Sequence, residues 1–279
     1  MREKRVQVIG MLHLDPLPGS PHHDEHAGLD LVLANAINDL NVYLDHEIDG
    51  VIFENFGDVP FYPGTVPPET LSSMTWIITK CQTFINKRNS HENFLVGVNV
   101  LRNDPIGALS IALVTGSHFI RVNIHDGVSL TDQGLIQGKA HETLRYRRNI
   151  GANEVKILAD VHVKHATPLV ERELHQESLE LVKRGGADGL IFTGPMTGIS
   201  PRMSTFECIP RIKLEIPKIP LFLGSGVNHD NILQIFDIVG NSIDGMIIGT
   251  AFKEGGKVSR PVERERVKSL MALVNDISI

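Results

Sequence analysis

The chain has 279 residues, 42% hydrophobic and 22% charged, the balance of an ordinary globular protein. A formal net charge of −6 removes the electrostatic case for nucleic acid or an anionic membrane as partner. No apolar run approaches the ~20 residues that a membrane-spanning helix needs. Cys81 and Cys208 stand far apart, outside any ligand spacing, so buried thiols in a reducing compartment are expected and a zinc site is not.

Apolar, strand-like runs alternate with helical patterns along the chain. Strands are predicted at Val6–Leu12, Val51–Glu54, Leu95–Leu101, Phe119–Ile124, Val155–Val163, Leu190–Thr193, Leu221–Leu223 and Met246–Ile248. The helices between them show core-facing spacing: Leu33, Ile37, Leu40 and Leu44; then Met74, Ile77, Cys81 and Ile85; then Ile106, Leu109 and Leu113. The last helix carries Val267, Leu270, Met271 and Val274. This is the inventory of a (β/α)8 TIM barrel, an α/β fold, and it predicts a single barrel domain over residues 1–279. The alternative is an open, doubly wound sheet, which would leave the first strand without its eighth partner. The first strand is expected to begin at Arg5–Val6, leaving no room for a signal or transit segment. A soluble, intracellular, cytoplasmic protein is therefore expected, with an organelle matrix open if a transit segment was removed.

A short repeat, Asp49-Gly-Val-Ile-Phe-Glu, Asp188-Gly-Leu-Ile-Phe-Thr and Asp244-Gly-Met-Ile-Ile-Gly, opens strands two, six and eight. Alternate barrel strands supply one layer of interior side chains, so Glu54, Thr193 and Gly249 are predicted to share a level. Segments entering strands are short, whereas those leaving are often long: 15–28, 56–68, 126–138 and 195–204. Long connections tend to carry function, and here they would crowd the carboxyl rim.

Phosphate binding is predicted where strands seven and eight end. Gly224-Ser225-Gly226 and Gly249-Thr250 are small-residue turns on neighbouring strands, whose backbone N–H groups can converge on an anion. Asn228 and Asp230 are residue types suited to opening the following helix. Tight turning alone is the plain alternative for these glycines. Several strands also turn polar at their ends, supplying His13, Glu54, Asn55, Asn99, Arg121, Asn123, Asp160 and His162. Alternation puts Asp160 and His162 on one face, and Arg121 and Asn123 on another. If these faces point inward, the cavity holds the groups for proton transfer on a small phosphorylated substrate. Asp160 or Glu54 is assigned as acid/base, His162 as proton partner, and Arg121 as the charge opposing a developing anion. His13, Asn99, Thr193 and Gly194 join the phosphate turns as binding residues. The plain alternatives are a Glu54–Arg121 structural ion pair, a hydrogen-bonded supporting role for His162, and a loop contact for His13. Lys164 is a residue type that forms Schiff bases, with solvation beyond the strand as its alternative. No cofactor or metal is expected. His22, His23, Asp24, Glu25 and His26 are ligand types without a defined geometry. Glu54 and Asp160 could hold Mg²⁺ only together with a substrate diphosphate.

The blocks GMLHLDPLPGSP, GVIFENFGDVPF, VGVNVLRND, FIRVN, ILADVHVKHA, DGLIFTG, FLGSGV and GMIIGTAFK resemble the BtpA family, also written BtpA/SgcQ, nearly end to end. The resemblance implies a phosphate-binding-type TIM barrel. It links one member to photosystem I assembly or stability in cyanobacteria, and it attaches the name nucleosidase to members from sugar operons. It brings no catalytic residues with it. Two functions are therefore expected to compete. One is an enzyme on a sugar phosphate or nucleotide-like compound, by isomerase, lyase or nucleosidase-type chemistry. The other is a non-catalytic assembly factor. A homo-oligomer is compatible with both.

Overall fold

The computed structural model describes residues 5–88, 93–170 and 172–277. Eight parallel strands close on themselves: β1 (Gln7–His13), β2 (Gly50–Glu54), β3 (Leu95–Asn99), β4 (Phe119–Val122), β7 (Lys156–Val161), β9 (Gly189–Phe192), β10 (Leu221–Gly224) and β11 (Gly245–Ile248). Closure is explicit in β1, which pairs with β11 through Ile9↔Ile247 and with β2 through His13↔Glu54. The open-sheet alternative is thereby excluded. Helices α1 (Gly28–Asp45), α2 (Pro68–Lys87), α3 (Pro105–Thr115), α4 (Ala140–Asn149), α5 (Leu174–Lys183), α6 (Met203–Glu215), α7 (Ile232–Val239) and α8 (Arg264–Ile277) ring the barrel. Local signals start and stop them. In α3 the Asp104 carboxylate accepts the Gly107 N–H at 2.8 Å, Pro105 takes the first turn, and Gly116 ends the helix at φ 71°.

The expected core positions of α2 and α8 are buried. Helix α3 is turned by about one position: Ala108, Leu109, Ile111 and Ala112 face in, and Leu113 is 41% exposed. Its sequence is apolar nearly all round, so periodicity could not fix its phase. In α1, Leu40 and Leu44 are buried while Leu33 and Ile37 lie at the edge of the core.

The Asp-Gly repeat has a structural cause. Each aspartate donates its backbone N–H to the neighbouring strand and accepts an N–H from it on Oδ2. Asp49 grips Val8 at 2.9 and 2.7 Å, Asp188 grips Ile157 at 2.8 and 2.9 Å, and Asp244 grips Leu221 at 2.8 and 2.8 Å. A Cβ on the glycine that follows would lie 2.4 Å from Leu95 O at Gly50 and 2.5 Å from the Phe222 ring at Gly245. The repeat is thus a two-point clamp that sets strand register, with a glycine where the neighbour comes too close for a side chain.

Several strands stop earlier than alternation suggests because side-chain amides replace the ladder. Asn55 Oδ1 takes the Leu101 N–H at 2.7 Å, and Asn103 Oδ1 takes the Ile124 N–H at 2.9 Å. Segments expected as plain loops form a small antiparallel sheet on the carboxyl side. It pairs β5 (Val128–Thr131) with β6 (Gly134–Gln137) and with β8 (Ala166–Pro168). Ile136 seals it against Ile124 and Val163.

Candidate functional site at the carboxyl rim

The inside of the barrel is filled by Ile9, Met11, Ile52, Phe119, Leu158, Ile191, Phe222 and Ile247, apart from the larger core under the helices. Gly97 leaves the space that the Phe119 ring occupies, since a Cβ there would lie 2.3 Å from it. Strand side chains alternate faces, so the residue two places on points inward as well. That step leads from Met11 to His13, from Ile52 to Glu54, from Gly97 to Asn99 and from Phe119 to Arg121. It leads from Leu158 to Asp160, from Ile191 to Thr193, from Phe222 to Gly224 and from Ile247 to Gly249. The predicted site residues on strands are therefore one continuation of the apolar interior, and Glu54, Thr193 and Gly249 do share an inward phase.

Arg121 and Asp160 form a bidentate pair, Nε to Oδ1 at 2.9 Å and Nη2 to Oδ2 at 3.0 Å, with side-chain exposures of 2% and 0%. Asn123 Nδ2 adds a third bond to Asp160 Oδ2 at 3.0 Å, and Asn99 Nδ2 holds the Asn123 side-chain oxygen at 3.0 Å. Asp160 is thus saturated by donors. Arg121 thus pairs with Asp160 rather than with Glu54, the partner named by the plain structural alternative. Glu54 is fully buried, and neither carboxylate oxygen has a hydrogen-bond partner among the described residues. Its nearest charged-type neighbour is His13, with Nε2 3.7 Å from Oε1, beyond hydrogen-bond reach. Burial, and then the charges of Lys253, Lys164 and Arg121, hold the His13 imidazole well below its ordinary pKa, so the ring is neutral at pH 7. The ring packs on Phe56 at 4.6 Å.

Lys164 lies past the end of β7 yet turns back into the molecule, 7% exposed. Its carbonyl accepts from Arg102 Nη2. Its amine has no hydrogen-bond or ion-pair partner among the described residues. Burial lowers the pKa of that amine, Glu54 works against the shift, and Arg121 adds to it.

A cavity of about 420 Å³ opens above these groups. Met11, His13, Arg121, Lys164, Ser225, Gly226, Gly249 and Thr250 line it, joined by Thr197, Gly198, Asn228 and Arg266. The two glycine turns thus face one space, with adjacent strands β10 and β11 delivering them. A Cβ at Gly249 would touch His13 Cε1 at 3.2 Å, and Ser225 and Gly226 both adopt left-handed φ of 69°. Gly224 faces the Ile191 and Thr193 methyls beneath, and a Cβ at Gly194 would strike Ile199 O; neither lines this cavity. Helix α7 begins only at Ile232, after Asn228 and Asn231 have closed a turn on the Gly226 carbonyl and the Asp230 N–H.

A second cavity, about 440 Å³, lies beside it under the β5–β6–β8 sheet, lined by Asp160, His162, Thr193, Arg172 and Glu177 among others. The Arg121–Asp160 pair stands between the two. The expectation that His162 shares an interior face with Asp160 is corrected here. Strand β7 ends at Val161, His162 takes φ 54°, and alternation stops with the strand. Its Nε2 contacts Glu177 Oε2 at 3.0 Å, and the side chain is 39% exposed. Thr193 Oγ1 donates to the His162 carbonyl at 2.9 Å, while its methyl lies beneath Gly224. In the first loop, His23 Nδ1 contacts the Pro16 carbonyl at 2.8 Å. Arg266, from the polar face of α8, gave no sequence signal of its place at the rim.

The BtpA family model matches residues 4–276. A Pyrococcus furiosus protein is 41% identical over 97% of this chain and 95% of its own length. The photosystem I biogenesis protein BtpA of Synechocystis sp. is 39% identical over 95% of this chain and 86% of its own length. Among solved structures, the phosphoribosyl anthranilate isomerase of Thermococcus kodakaraensis superposes with a TM-score of 0.57 at 14% identity, covering 97% of this chain and 99% of that one. At that identity the likeness speaks for the fold alone. With the barrel closed and the family match running nearly end to end, the chain belongs to the BtpA family.

Proposed function

We propose that this protein is an enzyme acting on a small phosphorylated metabolite, a sugar phosphate or nucleotide-like compound, at the carboxyl rim of the barrel. One observation carries the reading. The glycine turns of two adjacent strands share a cavity with His13, Arg121 and Lys164, above a buried carboxylate that no donor among the described residues satisfies. Folding does not gain by keeping such a carboxylate, since burying an unpaired polar group costs free energy. The phosphate lies against Ser225, Gly226, Gly249 and Thr250, where backbone N–H groups and the nearby Arg121 and Arg266 favour an anion. Arg121 is held rigid by Asp160 through Nε and Nη2 and lines the cavity. Glu54 is the acid/base, and neutral His13 relays or donates the proton. Asp160 is thereby a positioning residue. Isomerisation and lyase chemistry need this equipment; the C–N cleavage of a nucleosidase uses the same acid but gains no separate support. The neighbouring isomerase's name describes a phosphorylated substrate, which agrees in kind.

The test is thermal-shift screening against phosphometabolites, with phosphate-soaked crystals in parallel. A ligand selective for the folded state raises apparent stability by mass action. Phosphate density against Ser225–Gly226 and Thr250, with a stabilising phosphometabolite, supports the reading; an empty rim and no stabilising compound would sink it. A second reading, an assembly factor like the cyanobacterial relative's name, is favoured by the outer face of the β5–β6–β8 sheet. There Leu130, Leu135 and Leu169 are 55%, 62% and 64% exposed.

A further inference from the structure

We propose that Lys164 is a covalent catalyst, condensing with the carbonyl of a phosphorylated aldehyde or ketone whose phosphate rests on the two glycine turns. This rests on the phosphorylated-substrate reading above and names the substrate class within it.

Other buried lysines show what a structural role looks like in this chain. Lys253 Nζ sits 2.6 Å from Asp39 Oδ2, and the less buried Lys213 sits 2.7 Å from Asp244 Oδ2. Lys164 is buried, 7% exposed against 2% for Lys253, but has no such carboxylate among the described residues, and it lines the cavity that holds the phosphate turns. A lysine that clamps phosphate keeps its charge. Here burial, against the opposing charges of Glu54 and Asp160 and with the help of Arg121 and Arg102, pushes the amine toward its neutral, nucleophilic form. The backbone is fixed by the Arg102 bond to the Lys164 carbonyl, so the side chain is aimed rather than trailing.

The chemistry balances within the site. Neutral Nζ attacks the carbonyl carbon, a C–N bond forms, and the carbonyl π-electrons move to oxygen. One Nζ proton passes to that oxygen through Glu54 or His13. The resulting hydroxyl takes a second proton, the one that Lys164 gave up to Glu54 on becoming neutral, and leaves as water, giving an iminium and a Glu54 carboxylate. Arg121 faces the oxygen while it carries charge, and Glu54 faces the iminium cation. The iminium then draws electrons from the adjacent carbon, whose proton goes to Glu54 or His13, which is the step shared by isomerases and lyases.

The experiment treats the full-length protein with glycolaldehyde phosphate or unphosphorylated glycolaldehyde in the presence of cyanoborohydride, followed by peptide mapping. Inorganic phosphate binding is measured alongside by calorimetry. The expected result is a reduced adduct on Lys164, at least tenfold faster with the phosphorylated aldehyde, slowed by inorganic phosphate, and absent in Lys164→Arg. Adducts spread over surface lysines, equal rates for both aldehydes, or an unlabelled Lys164 would overturn the proposal. If phosphate binds and Lys164 stays unmodified, covalent catalysis fails while the phosphorylated-substrate reading stands. If phosphate does not bind either, both fail. Should Lys164→Arg not fold, the map of the unaltered protein decides alone.

Discussion

Asp160 looks from sequence like a catalytic acid, yet its geometry predicts that Asp160→Asn will be felt first in stability. The carboxylate accepts from Arg121 Nε, Arg121 Nη2 and Asn123 Nδ2 at 2.9, 3.0 and 3.0 Å, and no part of its side chain is exposed. An asparagine supplies one acceptor oxygen and a donor amide in place of two acceptors. At least one of these bonds becomes a donor facing a donor, and the Arg121 guanidinium loses its counter-charge. Breaking one side of a buried ion pair costs about 3–5 kcal/mol. At about 2–4 °C per kcal/mol for chains of somewhat smaller size, Tm should fall by roughly 6–20 °C. Urea unfolding measures the loss directly, and an Arg121→Met/Asp160→Asn double variant measures the coupling. Removing both charges should recover much of the stability, because the penalty is mainly the orphaned guanidinium. An Asp160→Asn protein within about 1 kcal/mol of the parent would refute this reasoning, and would return Asp160 to the list of free acids.

Glu54→Gln should behave in the opposite way. The carboxylate has no hydrogen bonds to lose, so stability should change by less than about 1 kcal/mol or rise, while turnover of whichever metabolite the screen selects should drop at least a hundredfold; intact turnover would remove Glu54 from the mechanism. His13 gives a pH signature. Its folded-state pKa is depressed, so below the unfolded value near 6.5 the unfolded chain takes up a proton that the folded chain refuses. Stability should therefore fall as pH drops from 6.5 to 5, by up to about 2 kcal/mol more in the parent than in His13→Asn. Parallel urea series at pH 5, 6 and 7.5 test it, and identical slopes would show that His13 titrates freely. Gly226→Ala puts a Cβ 2.0 Å from the Ser200 nitrogen at φ 69°. It should cost about 1–3 kcal/mol and abolish stabilisation by phosphate; calorimetry showing undiminished phosphate binding would move the anion site elsewhere.

The barrel was legible because its determinants are local. Apolar runs of strand length, helical stripes such as those of α2 and α8, and Asp-Gly steps before strands all follow from neighbouring residues. The glycine turns were legible for the same reason, since small residues after buried strands restrict what a backbone can do there. Even the inward phase of Glu54 and Arg121 could be derived, because alternation carries it forward from Ile52 and Phe119. Helix α3 shows the limit: where every face is apolar, the stripe has no phase to read.

What the sequence could not decide was which charged groups would find each other. Alternation holds only while the chain stays paired in the sheet. It therefore placed Asp160 correctly and His162 wrongly, the backbone turning left-handed one residue after β7 ends. Lys164 lies in that irregular stretch, so nothing local could tell a solvated amine from one folded back over the barrel. Arg121 had two carboxylates within its layer or the next, and the β4–β7 pairing brought Asp160 onto it and left Glu54, two strands away, without a donor among the described residues. Pairing among buried charges depends on distances across the barrel, which are set by closure and strand stagger rather than by any stretch of sequence.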